Sequence, residues 1–244
     1  MNKTKGFLLA ASVALALAFT FSCHTDKGDS GGGGPGLATP TKTIFVDSRD
    51  SKTYNKVTIG TQTWMAENLN YAVEGSKCYG EDGVVKGTTL SDSEIQANCD
   101  EYGRLYNWST AMNGAESSTA NPSGVRGICP DGWHLPSQAE WEVMTAYIGG
   151  ANTEGKKLKA TSGWGSSNCV SGNGTDDYGF SALPGGDGRS DSSFANVGIS
   201  GLWWSSSEYS NRDAYYRDMF CSYEDASWRS YYKSNLFSVR CVQD

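Results

Sequence analysis

The chain has 244 residues with 20 Lys and Arg, 27 Asp and Glu, and a net charge of −7. Residues 1–22 hold Lys3 and Lys5 and no acid, so without them 18 bases face 27 acids, a balance of −9. Phosphate backbones and anionic lipid surfaces repel such a chain, and we expect no nucleic-acid partner. The 30 glycines and the scarcity of long periodic segments predict an α+β domain of short antiparallel strands and long loops around one or two helices.

Residues 1–22 are predicted to be a signal peptide. Lys3 and Lys5 precede an apolar run, residues 6–21, that is short for a bilayer-spanning helix. The run stops at Ser22-Cys23, and a small residue before a cysteine resembles the processing site of a bacterial lipoprotein, with Cys23 as the lipidated first residue. Ordinary cleavage, which leaves Cys23 as a spare thiol, is the alternative. We expect an exported protein whose only membrane contact is a lipid on Cys23, at the outer membrane or cell surface.

Residues 23–41 are predicted to be a flexible tether that follows the lipidated cysteine. The segment is rich in Gly and has almost nothing to bury, so it cannot offset the entropy of becoming ordered. A chain of this kind spans on the order of 20–25 Å, which suits a domain that stands clear of a membrane. The folded domain is predicted over residues 42–244.

The first half of the domain is predicted to hold strands, a closed loop and a short helix. Residues 43–70 alternate as a β-hairpin with a continuing strand, with turns at 48–51 and 60–62 and a core Trp64. Cys78 and Cys99 bracket the polar residues 79–98, a pattern typical of a disulfide-closed loop in an exported protein. Residues 102–112 are predicted to be a helix that packs inward through Leu105, Trp108 and Met112.

The strongest helix signal begins at Ser137. Ser137 and Glu140 have the spacing of a capping box, and Gly149-Gly150 ends the helix. Its apolar side is broad, which predicts a well-buried helix that organises the domain. Residues 156–160 are predicted to be a short strand or a helical turn.

Residues 163–200 are predicted to be a long loop held by a few aromatic residues. Asp176, Asp177 and Asp187 are hard oxygen donors in this loop, with Asp191 and Glu208 nearby, and Ca²⁺ takes such ligands. Their spacing fits no calcium loop, and Asp in Gly-rich turns usually caps its own backbone. We therefore expect no cofactor, with a Ca²⁺ site as the alternative.

The segment after Gly201 concentrates the aromatic residues in doublets at 203–204, 215–216 and 231–232. Neighbouring residues on a strand point to opposite faces, so each doublet is predicted to place one ring inward and one outward on three antiparallel strands. The alternative is that the rings are all core or covered by the long loop. The predicted ligand-binding residues are the outward rings and the polar residues beside them: Trp204, Tyr216, Tyr232, Glu208, Asn211, Arg212 and Asp213.

Several motifs carry a family resemblance. Residues 132–137 with Glu140 and Trp141, read as GWHLPSxxEW, are similar to the G-W-x-L-P-[ST]-x-x-E-[WL] segment of C-type-lectin-like domains of the formylglycine-generating-enzyme kind. The region from Phe45 onward resembles a narrower family, the Fibrobacter succinogenes major paralogous domain. Its matching pieces are DSRD with TY (47–54), IGTQTWMAENLNY (59–71), YGRLYNW (102–108), GTDDYGFSALPGG (174–186), WWSSSE (203–208) and FSVRCV (237–242). The resemblance implies a C-type-lectin-like fold but carries no settled activity.

The seven cysteines minus Cys23 leave six, an even set that predicts disulfides with fifteen possible connectivities. Cys78–Cys99 is the expected local pair. The lectin-like resemblance implies Cys129–Cys241 as a bond between the entry to the main helix and the last strand, which leaves Cys169 with Cys221. Free thiols or metal ligation are the alternatives, although no CxxC spacing supports a zinc site.

No catalytic constellation emerges from the residues. His134 is the only histidine outside the tether, no nearby carboxylate is evident to orient it, and we expect it to be structural. We predict a monomeric, non-catalytic, surface-anchored recognition protein whose partner is a glycan or a surface protein. One alternative is a structural or adhesive envelope protein without glycan binding. The other is a modifying enzyme of the formylglycine-generating-enzyme-like fold, with Cys221 and Cys241 as candidate cysteines by position only.

Overall fold

A computed structural model describes residues 40–149, 152–165, 169 and 172–244 of the chain. The predicted signal peptide, the predicted lipidation site Cys23 and residues 24–39 of the predicted tether lie outside the described residues. None of the helices within the described ranges combines the length and the apolar character needed to cross a bilayer.

The described part of the chain is a mixed α+β domain, as the sequence predicts. Its helices are α1 (Asp92–Tyr102), α2 (Trp108–Met112), α3 (Gln138–Ile148) and α4 (Glu154–Leu158). Its strands are β1 (Thr43–Val46), β2 (Thr53–Ile59), β3 (Gln62–Met65), β4 (Ser76–Lys77), β5 (Val84–Val85), β6 (Leu105–Tyr106), β7 (Trp133–His134), β8 (Gly185–Gly188), β9 (Ser193–Val197), β10 (Ser200–Glu208), β11 (Asp213–Phe220), β12 (Ser227–Tyr232) and β13 (Val242–Gln243).

A five-stranded antiparallel sheet has the order β1-β2-β3-β13-β7. The predicted hairpin and continuing strand at residues 43–70 are β1, β2 and β3. Strand β13 lies between β3 and β7, and its Val242 is the register partner of both Trp64 and His134. Trp64 is fully buried, which confirms its predicted place in the core.

Strands β10, β11 and β12 form the predicted three-stranded antiparallel sheet. The first eight residues of β10 are all buried, because both of its faces are covered. Trp203 packs into a cluster with Trp141 of α3, whereas Trp204 points to the opposite face and packs at 4.3 Å between ring centroids against Phe237. The alternation within this doublet is therefore correct, but the prediction that one of its rings faces outward is wrong.

Helix α3 begins and ends as predicted. Ser137 and Glu140 form both hydrogen bonds of the capping box, and Gly149 takes the left-handed conformation at φ 71°. The predicted breadth of its buried side is wrong, because Ala146 and Tyr147 are exposed. The helix buries one face, which carries Trp141, Met144 and Ile148.

Helix α1 lies in the segment predicted to be a polar loop. A second capping box, Ser91 with Glu94, starts it, and Cys99 is its only buried residue, so an apolar pattern could not reveal it. The helix predicted over residues 102–112 is interrupted, because Gly103 ends α1 at φ 74° and Asn107 caps a new helix, α2. A Cβ at Gly103 would come 2.9 Å from the Leu69 carbonyl oxygen.

The predicted long loop contains a hairpin, β8 with β9, which β5 extends as a parallel partner. Trp164, Phe180 and Phe194 are buried and hold this segment to the core, as expected. Strand β8 reads Gly-Gly-Asp-Gly, which has no strand-forming side chain. A Cβ at Gly188 would come 2.8 Å from the Leu236 side chain, so close packing of the backbone explains this sequence. Residues 156–160 include the predicted helical turn, as the end of α4.

The three disulfide pairs are those expected: Cys78–Cys99, Cys129–Cys241 and Cys169–Cys221. Cys129 and Cys241 are 112 positions apart in the sequence and are fully buried members of one core cluster. A bond that closes a loop of this length removes unfolded-chain entropy worth roughly 4–5 kcal/mol of stability. This bond ties the segment before α3 to the segment that leads into β13.

Candidate functional site

Two of the predicted ligand-binding rings are buried. Trp204 is fully buried and donates a 2.7 Å hydrogen bond from its indole nitrogen to the Tyr106 carbonyl, and Tyr216 is 6% exposed. Both rings lie on the face of the sheet that Phe237 covers, with ring centroids 4.3 Å and 4.9 Å from it. The expectation that the rings of Trp204 and Tyr216 face outward is therefore wrong.

The other predicted ligand-binding residues lie around the end of the β10–β11 hairpin, and all of them are exposed except Asp213, which is partly buried. Lys233 brings two of them together, because its ammonium group lies 2.9 Å from a Glu208 carboxylate oxygen and donates to the Asn211 carbonyl at 3.2 Å. The guanidinium of Arg212 lies 4.6 Å from the centre of the Tyr232 ring. These polar groups are largely paired with one another.

A row of aromatic rings lies on the opposite face of the sheet from Trp204. Tyr209, Tyr215 and Trp228 follow one another with ring centroids 5.3 Å and 5.5 Å apart, each pair edge to face. Tyr209 is 59% exposed and Trp228 is 52% exposed. Trp228 is the cross-strand partner of Arg217, so both side chains lie on this face. We call these three rings the aromatic row.

A groove runs between the aromatic row and helix α3. One part has a volume of about 330 Å³ and the adjoining part about 370 Å³. Both parts contain Glu142 and Trp228 in their walls, so they form one surface, the α3 groove. Its wall is mostly polar and comprises Thr119, Gln138, Ala139, Glu142, Thr145, Asn152, Glu154, Tyr215, Arg217, Asp225, Ala226, Ser227 and Trp228.

Arg217 is the most deeply buried charged residue of this wall, with 3% of its surface exposed. Its Nη1 donates to the Ala226 carbonyl at 2.9 Å, whereas Nε and Nη2 have no hydrogen-bond partner within the described ranges. Burial lowers the pKa of Arg217 to about 10, against the opposing effect of Glu142, Asp218 and Glu154, so the side chain stays charged at neutral pH. The sequence signal was a charged residue inside a strand of otherwise core character, and our sequence reasoning missed it.

Two acceptors of the same groove also lack partners. Glu154 Oε2 and Gln138 Oε1 are buried and accept no hydrogen bond from any described residue. Buried polar atoms in proteins are nearly always hydrogen-bonded, so unmet donors and acceptors that line one groove indicate a place for a polar ligand or water.

The structure does not bring the candidate calcium ligands together. Asp176 accepts from the backbone and hydroxyl of Ser181 at 2.7 Å and 2.6 Å, as an acid that caps its own turn. Asp187 is buried, which raises its pKa, and it accepts from Asn196 at 2.6 Å. Across the described ranges, no group of three or more His, Cys, Asp or Glu residues, Asp177 included, is arranged to hold a metal ion.

His134 has two carboxylate partners, contrary to the prediction that no carboxylate orients it. Its Nε2 lies 2.7 Å from Glu140 Oε1, and its Nδ1 lies 2.7 Å from Asp244 Oδ1. Both ring nitrogens are therefore engaged in hydrogen bonds, and neither is free to accept a proton from a substrate. The two cysteines of the enzyme alternative, Cys221 and Cys241, each belong to a disulfide with a different partner.

The comparisons with known proteins identify one relationship. A family model described as the Fibrobacter succinogenes major domain matches residues 57–243. This span contains all three disulfides, helix α3 and both walls of the α3 groove. No match was found among curated proteins or among solved structures.

Proposed function

The chain belongs to the Fibrobacter succinogenes major domain family, and we propose that it is a non-catalytic recognition protein that binds a glycan through the aromatic row and the α3 groove. Under this proposal the domain has a C-type-lectin-like fold, which the capped helix α3 and the Cys129–Cys241 bond support. It acts as a monomer and needs no cofactor.

The observation that carries the proposal is the row of three rings, of which Tyr209 and Trp228 are exposed, beside a groove with polar walls. A sugar ring has an apolar face of C–H groups and an edge of hydroxyl groups. Flat aromatic faces bury the C–H face of the sugar, and side chains that donate and accept hydrogen bonds bind its hydroxyl groups. The ring centroids of Tyr209, Tyr215 and Trp228 follow one another at 5.3 Å and 5.5 Å, a spacing suited to consecutive sugar units of an oligosaccharide.

Replacement of Trp228 by Ala in the full chain is expected to lower the affinity for a bound oligosaccharide at least tenfold, since loss of one buried aromatic contact costs about 1.4 kcal/mol or more. Glycan-array binding identifies the oligosaccharide, and calorimetric titration measures the affinity. Tyr147→Ala is the matched control, because Tyr147 is 60% exposed and lies outside the α3 groove. Retention of full affinity by Trp228→Ala, or equal loss in both variants, would place the site elsewhere.

We propose further that the protein is exported and attached to the outer membrane or cell surface by a lipid on Cys23. The short apolar run before Ser22-Cys23 and the Gly-rich residues after it support this. Labelled fatty acid is expected to appear on the full chain and to be lost in Cys23→Ser. Equal label in both proteins would contradict the anchor.

A structural or adhesive protein that binds another protein is the second candidate. The specific observation in its favour is that Tyr231 and Tyr232 are 45% and 44% exposed on β12, an edge strand of its sheet. Capture of a surface protein that fails in Tyr231→Ser/Tyr232→Ser, together with blank glycan arrays, would favour this candidate over the first.

A further inference from the structure

The unmet hydrogen-bonding atoms of the α3 groove are of both kinds. Arg217 has two buried donors without partners, Nε and Nη2, while Glu154 Oε2 and Gln138 Oε1 are buried acceptors without partners. All three residues line the groove. The Nε and Nη2 groups lie on the same edge of a guanidinium, and this edge fits two neighbouring oxygen atoms. A ligand that supplies partners to these atoms must therefore both accept and donate hydrogen bonds.

The charges that surround Arg217 restrict the ligand further. Glu142, Glu154 and Asp225 line the same part of the groove as Arg217, so three carboxylates share it with one guanidinium. Glu142, Asp218 and Glu154 each act electrostatically on Arg217. A carboxylate or sulfate group placed here would pair with the guanidinium, but the carboxylates would repel it and it has no hydrogen to donate to Glu154. An ammonium group placed here has no acceptor for the two donors of Arg217.

Hydroxyl groups meet all of these conditions, because each donates one hydrogen bond and accepts others. Resting on the glycan binding proposed above, we infer that the α3 groove is specific for a neutral sugar with two adjacent hydroxyl groups. Arg217 donates from Nε and Nη2 to the two hydroxyl oxygens, and Glu154 accepts from one of these hydroxyls. The indole of Trp228, which borders both parts of the groove, covers the apolar face of the same sugar. Uronic acids and sulfated sugars are excluded by the three carboxylates.

The test compares oligosaccharides of matched length and linkage that carry glucose or glucuronate, and galactose or galacturonate, with the full chain as the binding protein. A neutral member is expected to bind at least tenfold more tightly than its acidic counterpart. Arg217→Lys keeps the positive charge but loses the two-donor edge, and it is expected to bind the neutral sugar at least tenfold more weakly. Glu154→Gln keeps an acceptor and removes a negative charge. It is therefore expected to reduce the difference in affinity between the neutral and the acidic oligosaccharides.

Thermal unfolding of each variant shows whether it is folded. If Arg217→Lys does not fold, the neutral-to-acidic affinity ratio of Glu154→Gln tests the specificity by itself. Tighter binding of acidic than neutral sugars, or full neutral-sugar affinity in folded Arg217→Lys, would overturn this specificity while leaving glycan binding in place. An unchanged neutral-to-acidic ratio in Glu154→Gln would overturn it as well. No binding to any glycan would overturn the proposed function and the specificity together.

Discussion

Replacement of Arg240 by Met is expected to lower the free energy of unfolding by about 4 kcal/mol. Arg240 is fully buried, and its guanidinium donates to Asn68 Oδ1 at 2.8 Å, to the Ser181 carbonyl at 2.8 Å and to the Phe180 carbonyl. It also lies 4.2 Å from the centre of the Phe180 ring. Burial lowers the pKa of Arg240 to about 9.

Methionine fills much of the same volume, so the expected loss comes from the acceptors left behind. Asn68 Oδ1 keeps a second donor, the indole of Trp203 at 2.8 Å, but the carbonyls of Phe180 and Ser181 lose theirs. A buried acceptor without a partner costs about 1–3 kcal/mol. A hydrophobic replacement of a buried charge is often tolerated when its partner is removed with it, but backbone carbonyls cannot be removed.

Urea denaturation of Arg240→Met checks this expectation, with Arg126→Met as the control. The Arg126 side chain is 55% exposed and pairs with the exposed Asp131, so its replacement is expected to change stability by no more than about 0.5 kcal/mol. A loss below about 1 kcal/mol in Arg240→Met would show that the carbonyls find other donors.

Replacement of His134 by Gln is expected to cost about 3 kcal/mol near pH 6, because it leaves the buried Glu140 Oε1 without its charged partner. Two carboxylates, one on each ring nitrogen, require both nitrogens to carry hydrogen, so they favour the charged imidazole. Burial alone lowers the pKa of His134, but the hydrogen bonds with Glu140 and Asp244 outweigh it, and the pKa is raised above 6.5.

The pH dependence of this contribution follows from the sign of the shift. The pKa of His134 is higher in the folded state than in the unfolded state, so its stabilising effect is complete below about pH 6.5 and is lost as the pH rises through the folded-state value. The difference in stability between the natural protein and His134→Gln is therefore expected to shrink as the pH rises above about 6.5 and through the raised pKa of the folded state. Burial raises the pKa of Asp218 to about 6, and its titration occurs in both proteins and cancels in this difference.

Denaturation at a series of pH values measures this difference. Asp244→Asn is the control for the second partner, and because the Asp244 side chain is 61% exposed, its loss is expected to be about 1 kcal/mol or less. A difference between His134→Gln and the natural protein that stays constant across this pH range would mean that His134 is neutral in the folded state.

Local signals explain which elements could be predicted. The Ser137–Glu140 capping box and the alternation of residues 43–65 act between near neighbours, and both produced the expected elements. Helix α1 was missed because its first turn carries a capping signal but its surface carries no apolar stripe. Strand β8 was missed because three of its four residues are glycines, which have low strand propensity. Close packing of neighbouring groups against its backbone accounts for these glycines.

The candidate site depended on information that the sequence does not hold. The segments that cover each face of a strand decide which ring of a doublet is exposed. Both faces of β10 are covered by segments distant in the chain. The exposure of Tyr232 was predicted correctly, but that of Trp204 was not. Arg217 is recognisable only once α3 and β12 form the groove around it, because its importance lies in the partners that it lacks.

The position of β13 has a kinetic consequence. Val242, near the end of the sequence, pairs with both Trp64 and His134. The five-stranded sheet is therefore continuous only after segments far apart in the sequence have met. Contacts between residues far apart in sequence make folding slow. Until then β3 and β7 have unpaired edges that other chains can join, and the domain is most vulnerable to aggregation during this interval.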